Sequence, residues 1–332
     1  MVKVRDVRFD TLKGILILCV LYRHFIQRDM SVDIASISSA NFVHLFTMPL
    51  FVFVSGYFTR HVNDAKKYWN GILGVFETYI VFQLIKGILY HYSIYELIAI
   101  PAPMMWYMLA LIYWKALYFV LCRFNVKVNG WIVSFFVVLT LVAGFLPFIG
   151  RAFAISRFIY FAPWFFLGII SQKVNIIDEI QKRVSKPIAW GIMAIALIGT
   201  VLAAVFHFNE LADIFRGGEP YPTTNQGLFM VYRLLSYGVS FLTSVALVRL
   251  FALPNKILEI CGLDSLKFYM FQGLGLMAVG AMPVPWNFLL ALVYATVVAV
   301  LIFFFNKTKL SDIAIRPINY VVNLIKSKKQ DR

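Results

Sequence analysis

Charge is scarce in this chain: only 14% of its 332 residues are Asp, Glu, Lys or Arg, where a soluble domain carries about a quarter. That scarcity excludes an ordinary water-exposed fold. With 61% hydrophobic residues and 32 Phe, too much apolar surface is present to hide in one core, so the outer surface must meet lipid. Acid is scarcer still, with 16 Asp and Glu against 31 Lys and Arg. The resulting charge of +15 does not point to nucleic acid, because the basic residues sit in short loops between apolar runs and no nucleic-acid motif accompanies them. Cysteine is nearly absent: Cys19, Cys122 and Cys261 lie in or beside apolar segments at no metal-ligand spacing. They read as small core residues, and no metal is expected. No internal repeat is evident either, and such repeats mark many transporters.

What is present is a succession of apolar runs. A helix needs roughly 17–25 residues to cross the hydrocarbon, and on that basis the chain predicts an all-α, polytopic membrane protein of about ten transmembrane helices. They fall near 11–28, 41–59, 72–91, 105–123, 130–148, 155–172, 188–207, 228–251, 265–282 and 285–305. The first run contains Lys13, Arg23 and His24 and lacks a small-residue cleavage site, so it reads as a retained helix rather than a signal peptide. Loop charge sets the orientation. Arg5, Arg8, Lys66, Lys67, Lys127, Lys182, Arg183 and the Lys-rich end share one side, while the other holds Arg151 and Arg216, with Arg28 and Arg157 at its edge. Both termini are therefore expected in the cytoplasm. Residues 1–305 form the transmembrane domain, and 306–332 a basic cytoplasmic tail expected on the inner leaflet.

Ionisable groups inside spans are costly and are functional candidates by default. Lys13 and His24 are eleven residues apart in the first span. On an ideal helix that spacing leaves them about 20° apart around the axis and about 16 Å apart along it. That distance resembles the reach of an acyl-pantetheine arm, so Lys13 suits a coenzyme A phosphate with His24 at the acyl carbon; the alternative is a snorkelling Lys and an interfacial His. The same arithmetic puts Asp10 about 21 Å from His24. Asp10 cannot orient that imidazole, and its expected part is to pair with Lys13 or cap the helix. By depth, His24, His44, Thr47, Lys86, Trp106, Tyr107, Arg157 and Arg233 belong to the outer level. Lys13, Ser55, Gly56, Glu77 and Lys267 belong to the inner one, and Lys115 and Gln272 lie between. Glu77 is the one carboxylate well inside a span, with no partner evident in the sequence. An outer group of aromatics with Arg and His suits a sugar or another hydroxyl compound.

FDTLKGILILCVLYRH, MPLFVFVSGYF, WYMLALIYWK, RFIYFAPWFFLGII and SLKFYMFQ, taken in order over about residues 8–305, resemble the acyltransferase 3 family of membrane O-acyltransferases. The nearest branch is the fucose 4-O-acetylase-like one. The matching positions are the basic Lys13 with His24, then Ser55 and Gly56, Trp106, and Arg157 with Pro163 and Gly168. Lys13 stands where many members have Arg, Thr47 where the nearest branch often has His, and Gln272 replaces a late His. The resemblance implies transfer of an acyl group, usually acetyl, from cytoplasmic acetyl-CoA to a hydroxyl of a cell-envelope glycan or its lipid-linked precursor. His24 is then expected as general base, or as the carrier of a transient acetyl group. Lys13, Asp10, Lys66 and Lys67 are expected at the donor. His44, Thr47, Trp106, Tyr107, Arg157 and Gln272 are expected around the acceptor. Two other classes stay open: a transporter or flippase of a polar lipid or anion, and an inactive acyltransferase-like subunit.

Overall fold

The structure is a computed structural model, and it describes residues 5–29, 33–206 and 210–322. Every regular element among them is helical. In chain order these are α1 Val7–Ile26, α2 Ile34–Tyr57, α3 Ala65–Leu89, α4 Ile94–Ala99, α5 Trp106–Arg123 and α6 Gly130–Ala143. Then come α7 Ile155–Ile170, α8 Ile176–Arg183, α9 Lys186–Val205, α10 Glu210–Arg216 and α11 Gln226–Phe251. The last are α12 Lys256–Leu263, α13 Ser265–Gly280, α14 Phe288–Phe305 and α15 Lys309–Ile315.

Local chemistry starts most of these helices. Asp6, Asp33, Asp64, Asn129, Asn175, Asn255 and Asn287 each accept a backbone N–H of the helix they precede, which satisfies one of the orphan donors at a helix start. Ser93 and Glu96 form a full capping box ahead of α4. Outside the apolar segments, Arg8 hydrogen-bonds Asp6 and holds its carboxyl below the usual aspartate range. Arg8 also pairs with Asp178 at 2.7 Å, which ties α1 to α8.

Six segments are long and apolar enough to cross a membrane: α2, α3, the span 152–173 around α7, α9, α11 and α14. Their outward faces carry large apolar side chains, such as Ile195 at 73% exposure and Leu289 at 71%, as lipid contact requires and water would not tolerate. The protein is thus an all-α, polytopic membrane protein. The other four expected spans also contain helices. α1 carries Asp10, Lys13 and Arg23, and α5 carries Lys115 and Arg123. The remaining two are short, 14 residues for α6 and 16 for α13.

Two close helix crossings organise the interior. A Cβ at Gly56 would lie 2.8 Å from the carbonyl carbon of Phe165, and one at Gly168 would lie 2.7 Å from the backbone nitrogen of Tyr57. Glycines thus bring the α2 and α7 backbones together. Gly14 and Gly262 do the same for α1 and α12, where a Cβ would lie 2.7 Å from Leu258 C and Asp10 C respectively. Pro49 and Pro163 lie inside α2 and α7 and are buried. Each removes one helical hydrogen bond where neighbouring helices hold the segment in place.

The tail folds back on the helices. The Glu77 carboxylate accepts the N–H groups of Ile318 at 2.7 Å and Asn319 at 3.0 Å, at the start of a helical stretch over 317–322 that follows Arg316. Proline at a helix start and an anion at its N-terminus both favour that arrangement. Thr78 donates to the Ile315 carbonyl at 3.2 Å, and Lys267 on α13 pairs with Asp312 at 2.6 Å. Glu77 therefore has its partner some 240 residues away in sequence. The expected inner-leaflet end, residues 323–332, lies outside the described residues, as do Lys3 and its neighbours at 1–4.

Candidate active site

Two polar cavities lie at opposite ends of α1. The first, of about 500 Å³, surrounds the C-terminal end of the helix. Its walls include Arg23, His24, Gln27 and Arg28 from α1, His44 and Thr47 from α2, and residues 100–104 with Trp106. Arg157, Arg216, Gly218 and Tyr269 complete it. The second, of about 1040 Å³, is built from Tyr57 to His61, Asn63, Asp64, Lys67, Tyr68, Gly71, Lys115 and Gln172. Lys13 reaches towards it, its ammonium 6.0 Å from the ring centre of Phe58.

His24 is half-buried in the first cavity and makes no hydrogen bond among the described residues. Its ring nitrogens are thus available to a ligand. Arg157 lies over the indole of Trp106 at 5.0 Å, and that indole stacks on Phe161 at 5.2 Å. His44 is fixed by the Phe215 carbonyl at 3.1 Å through Nε2, while its Nδ1 and the Thr47 hydroxyl are buried without a partner. Lys86 is fully buried and donates to the Pro103 carbonyl at 2.9 Å, bracing the 100–104 wall. In that wall Met104 takes a left-handed backbone with φ 72°, strained for a side-chain-bearing residue. Its carbonyl accepts the Tyr269 hydroxyl.

A chain of contacts runs between the two cavities. Thr59, on the second, donates to the Ser55 carbonyl at 2.8 Å. The Ser55 hydroxyl meets the Tyr107 hydroxyl at 2.5 Å, and the Tyr107 ring packs on Tyr269, which lines the first cavity, at 5.5 Å. The expected inner-level Ser55 and outer-level Tyr107 are therefore direct neighbours.

Around the second cavity Arg60, Lys67, Lys115 and His61 face one carboxylate, Asp64, whose oxygen is engaged by the Lys67 backbone at 3.1 Å. Lys115, expected near mid-depth, belongs here. Lys66 is exposed and outside the lining, whereas Lys67 is part of it. Asp10 is buried between Lys13 and Arg5, both at 2.7 Å, so it organises cations rather than facing a cavity. Gln272 is buried outside both linings, reaching only the Tyr269 carbonyl at 3.4 Å. Arg233 donates to the Glu219 carbonyl at 2.8 Å beneath the first cavity's rim.

Arg23, Arg216 and Tyr269 in the first cavity, and Arg60 and Gln172 in the second, are residues that spacing alone did not select. Arg23 had a usable signal, a charge one position before His24. The others come together only through tertiary contacts. Among the described residues no cluster of His, Cys, Asp and Glu could hold a metal ion.

A helical membrane protein with a free histidine in one cavity and a cation-lined cavity at the far end of the same helix is suited to moving a group between two substrates. Residues 6–305 match the family described as an acyltransferase domain, and the chain belongs to this acyltransferase 3 family. No curated protein and no solved structure matches it.

Proposed function

We propose that the protein is a membrane O-acyltransferase that moves an acetyl group from cytoplasmic acetyl-CoA to a hydroxyl of a cell-envelope glycan or its lipid-linked precursor. The observation that carries the reading is His24, unpaired in its cavity, on the same helix as Lys13 at the edge of the second cavity. All ten helices span the bilayer in this reading, α1, α5, α6 and α13 included, with both termini cytoplasmic. The second cavity then opens to the cytoplasm.

The cations at that cavity fit the phosphates of the donor. Lys67, Lys115 and Arg60 supply charge-assisted donors, with Lys13 nearby. In this reading the neutral arm of the donor runs towards His24 past Thr59, Ser55, Tyr107 and Tyr269, which are linked by contacts. There the imidazole takes the proton of the acceptor hydroxyl as its oxygen attacks the thioester carbon. The C–O bond forms, the C–S bond breaks, and the imidazolium returns the proton to the leaving thiolate. A neutral imidazole is the form this step needs. Trp106, Arg157, His44 and Thr47 flank the acceptor, whereas Tyr107, expected with them, lies outside this lining with its hydroxyl on Ser55.

Cells expressing His24→Ala test the reading through mass spectrometry of envelope glycans. Loss of O-acetyl groups relative to the wild type is expected, and undiminished acetylation would sink it. A carrier would instead move a labelled lipid or anion across vesicles without any acyl transfer.

A further inference from the structure

The His24 cavity holds more positive charge than ester formation at a neutral hydroxyl requires. Five arginines line it, Arg23, Arg28, Arg151, Arg157 and Arg216, against two carboxylates, Asp213 and Glu219. Both acids are already engaged, Asp213 with Arg216 at 2.9 Å and Glu219 with Arg151. Arg23, Arg28 and Arg157 have no carboxylate partner among the described residues. Arg28 stacks on Trp286 at 4.2 Å and donates to the Gly280 carbonyl, so it is spoken for.

Arg23 and Arg157 are different. Arg23 is only 7% exposed, and its one side-chain hydrogen bond among the described residues is a long one, from Nε to the Ala40 carbonyl at 3.3 Å. Arg157 is clamped between the Trp106 ring and the backbone at Gly218, where a Cβ would approach its Nη2 to 3.0 Å. Its Nε, like that of Arg216, is buried with no acceptor. Arg23, Arg157 and Arg216 line the same cavity. Like charges crowded in a low-dielectric pocket with unfilled donors are unfavourable until an anion joins them.

Resting on the acyltransferase reading, we propose that the acceptor carries a compact oxyanion, a phosphate or a carboxylate. Arg157 and Arg23 seat that anion with the unfilled Nε of Arg216, whose Nη1 stays with Asp213, while a neighbouring hydroxyl meets His24. The guanidinium fork matches both anions in bidentate geometry. The donor's own phosphates are not the occupant, since the Lys67 cavity lies at the far end of α1 with its own cations. The negative charge that develops on the thioester oxygen needs one such donor, not three.

The test uses the full-length protein in detergent and follows carbethoxylation of His24 by diethyl pyrocarbonate, read by peptide mass spectrometry. The added probes are inorganic phosphate, glucose 1-phosphate, glucuronate and glucose. In the wild type, phosphate or glucuronate is expected to slow the modification about fivefold or more, and glucose to leave it unchanged. Protection by phosphate and glucose 1-phosphate alone assigns a phosphorylated acceptor, and protection by glucuronate alone a carboxylated one. Arg157→Gln and Arg216→Gln are each expected to abolish the difference between anion and glucose. No protection by either anion in the wild type overturns the proposal. Equal protection by glucose does the same, as does protection that survives both substitutions. Acetyl-CoA binding, measured separately on the same samples, reports on the acyltransferase reading. Its absence would strike that reading and leave the anion result standing.

Discussion

Replacing Gly56 with alanine drives a methyl group into backbone rather than into a side chain that could swing away. The new carbon would sit 2.8 Å from the Phe165 carbonyl carbon and 3.1 Å from its Cα, where unstrained carbons keep about 3.5–4.0 Å. The Phe165 carbonyl oxygen lies nearer still, so the α2 and α7 backbones would have to part by more than about 1 Å. Overpacking against a rigid neighbour falls at the upper end of its usual range, about 3 kcal/mol. Better helix propensity returns at most about 1 kcal/mol, which leaves a net loss of about 2 kcal/mol. In a chain of this size that lowers Tm by roughly 3 °C. The same mutation at Gly191, which has nothing within 4 Å of an added Cβ, gains propensity alone and should raise Tm by about 1–2 °C. Thermal unfolding of the two purified variants in one detergent checks the pair. A Gly56→Ala protein as stable as the wild type, or shifts of the same sign at both sites, would refute the close-crossing account.

Lys67→Ala and Lys115→Ala should each raise the KM for acetyl-CoA by about fivefold with little change in kcat, because each removes a ground-state phosphate contact; steady-state kinetics reads the split. Glu77→Ala strips the cap from the stretch over 317–322 at a cost of about 1 kcal/mol, so the Ile318 and Asn319 amides that it engages should exchange with deuterium faster than in the wild type, read by hydrogen-exchange mass spectrometry. The Asp6 carboxyl is depressed by its hydrogen bond to Arg8. Its contribution is therefore complete above the ordinary aspartate value of about 3.9 and is lost as pH falls through the lower folded-state value. Asp6→Asn should thus lower thermal stability at pH 7, with the difference closing in strong acid. A periplasmic-type reporter fused after residue 332 should stay inactive and a cytoplasmic one should be active; the reverse pattern contradicts the proposed orientation.

Much of the fold is legible in sequence because lipid imposes one simple demand on each segment. Six of the apolar runs hold helices long and apolar enough to cross a membrane, and on α1 His24 lines the first cavity while Lys13 lies 6.0 Å from the Phe58 ring of the second. Trp106 and Arg157, chosen as separate motif positions, meet as a stacked pair. Pairing across the chain is what one sequence leaves out. Glu77 gives no sign that its partners are the amides of Ile318 and Asn319. Gly14 and Gly262 look like ordinary small residues until α12 is seen lying on α1. Arg23 points about 100° away from His24 on an ideal helix, yet both line one cavity because the end of α1 is enclosed on several sides. Lys115 was placed by its position along α5 rather than by the loop around Thr59 and Asn63 that turns it into a cavity wall.

The central claim is that His24 removes the acceptor's proton. Purified wild-type and His24→Ala proteins, given radiolabelled acetyl-CoA and an extract of envelope glycans, measure it directly. The account predicts that acetyl transfer falls about 10²–10⁴-fold in the variant while acetyl-CoA binding is retained. Transfer at the wild-type rate by the folded variant would contradict it.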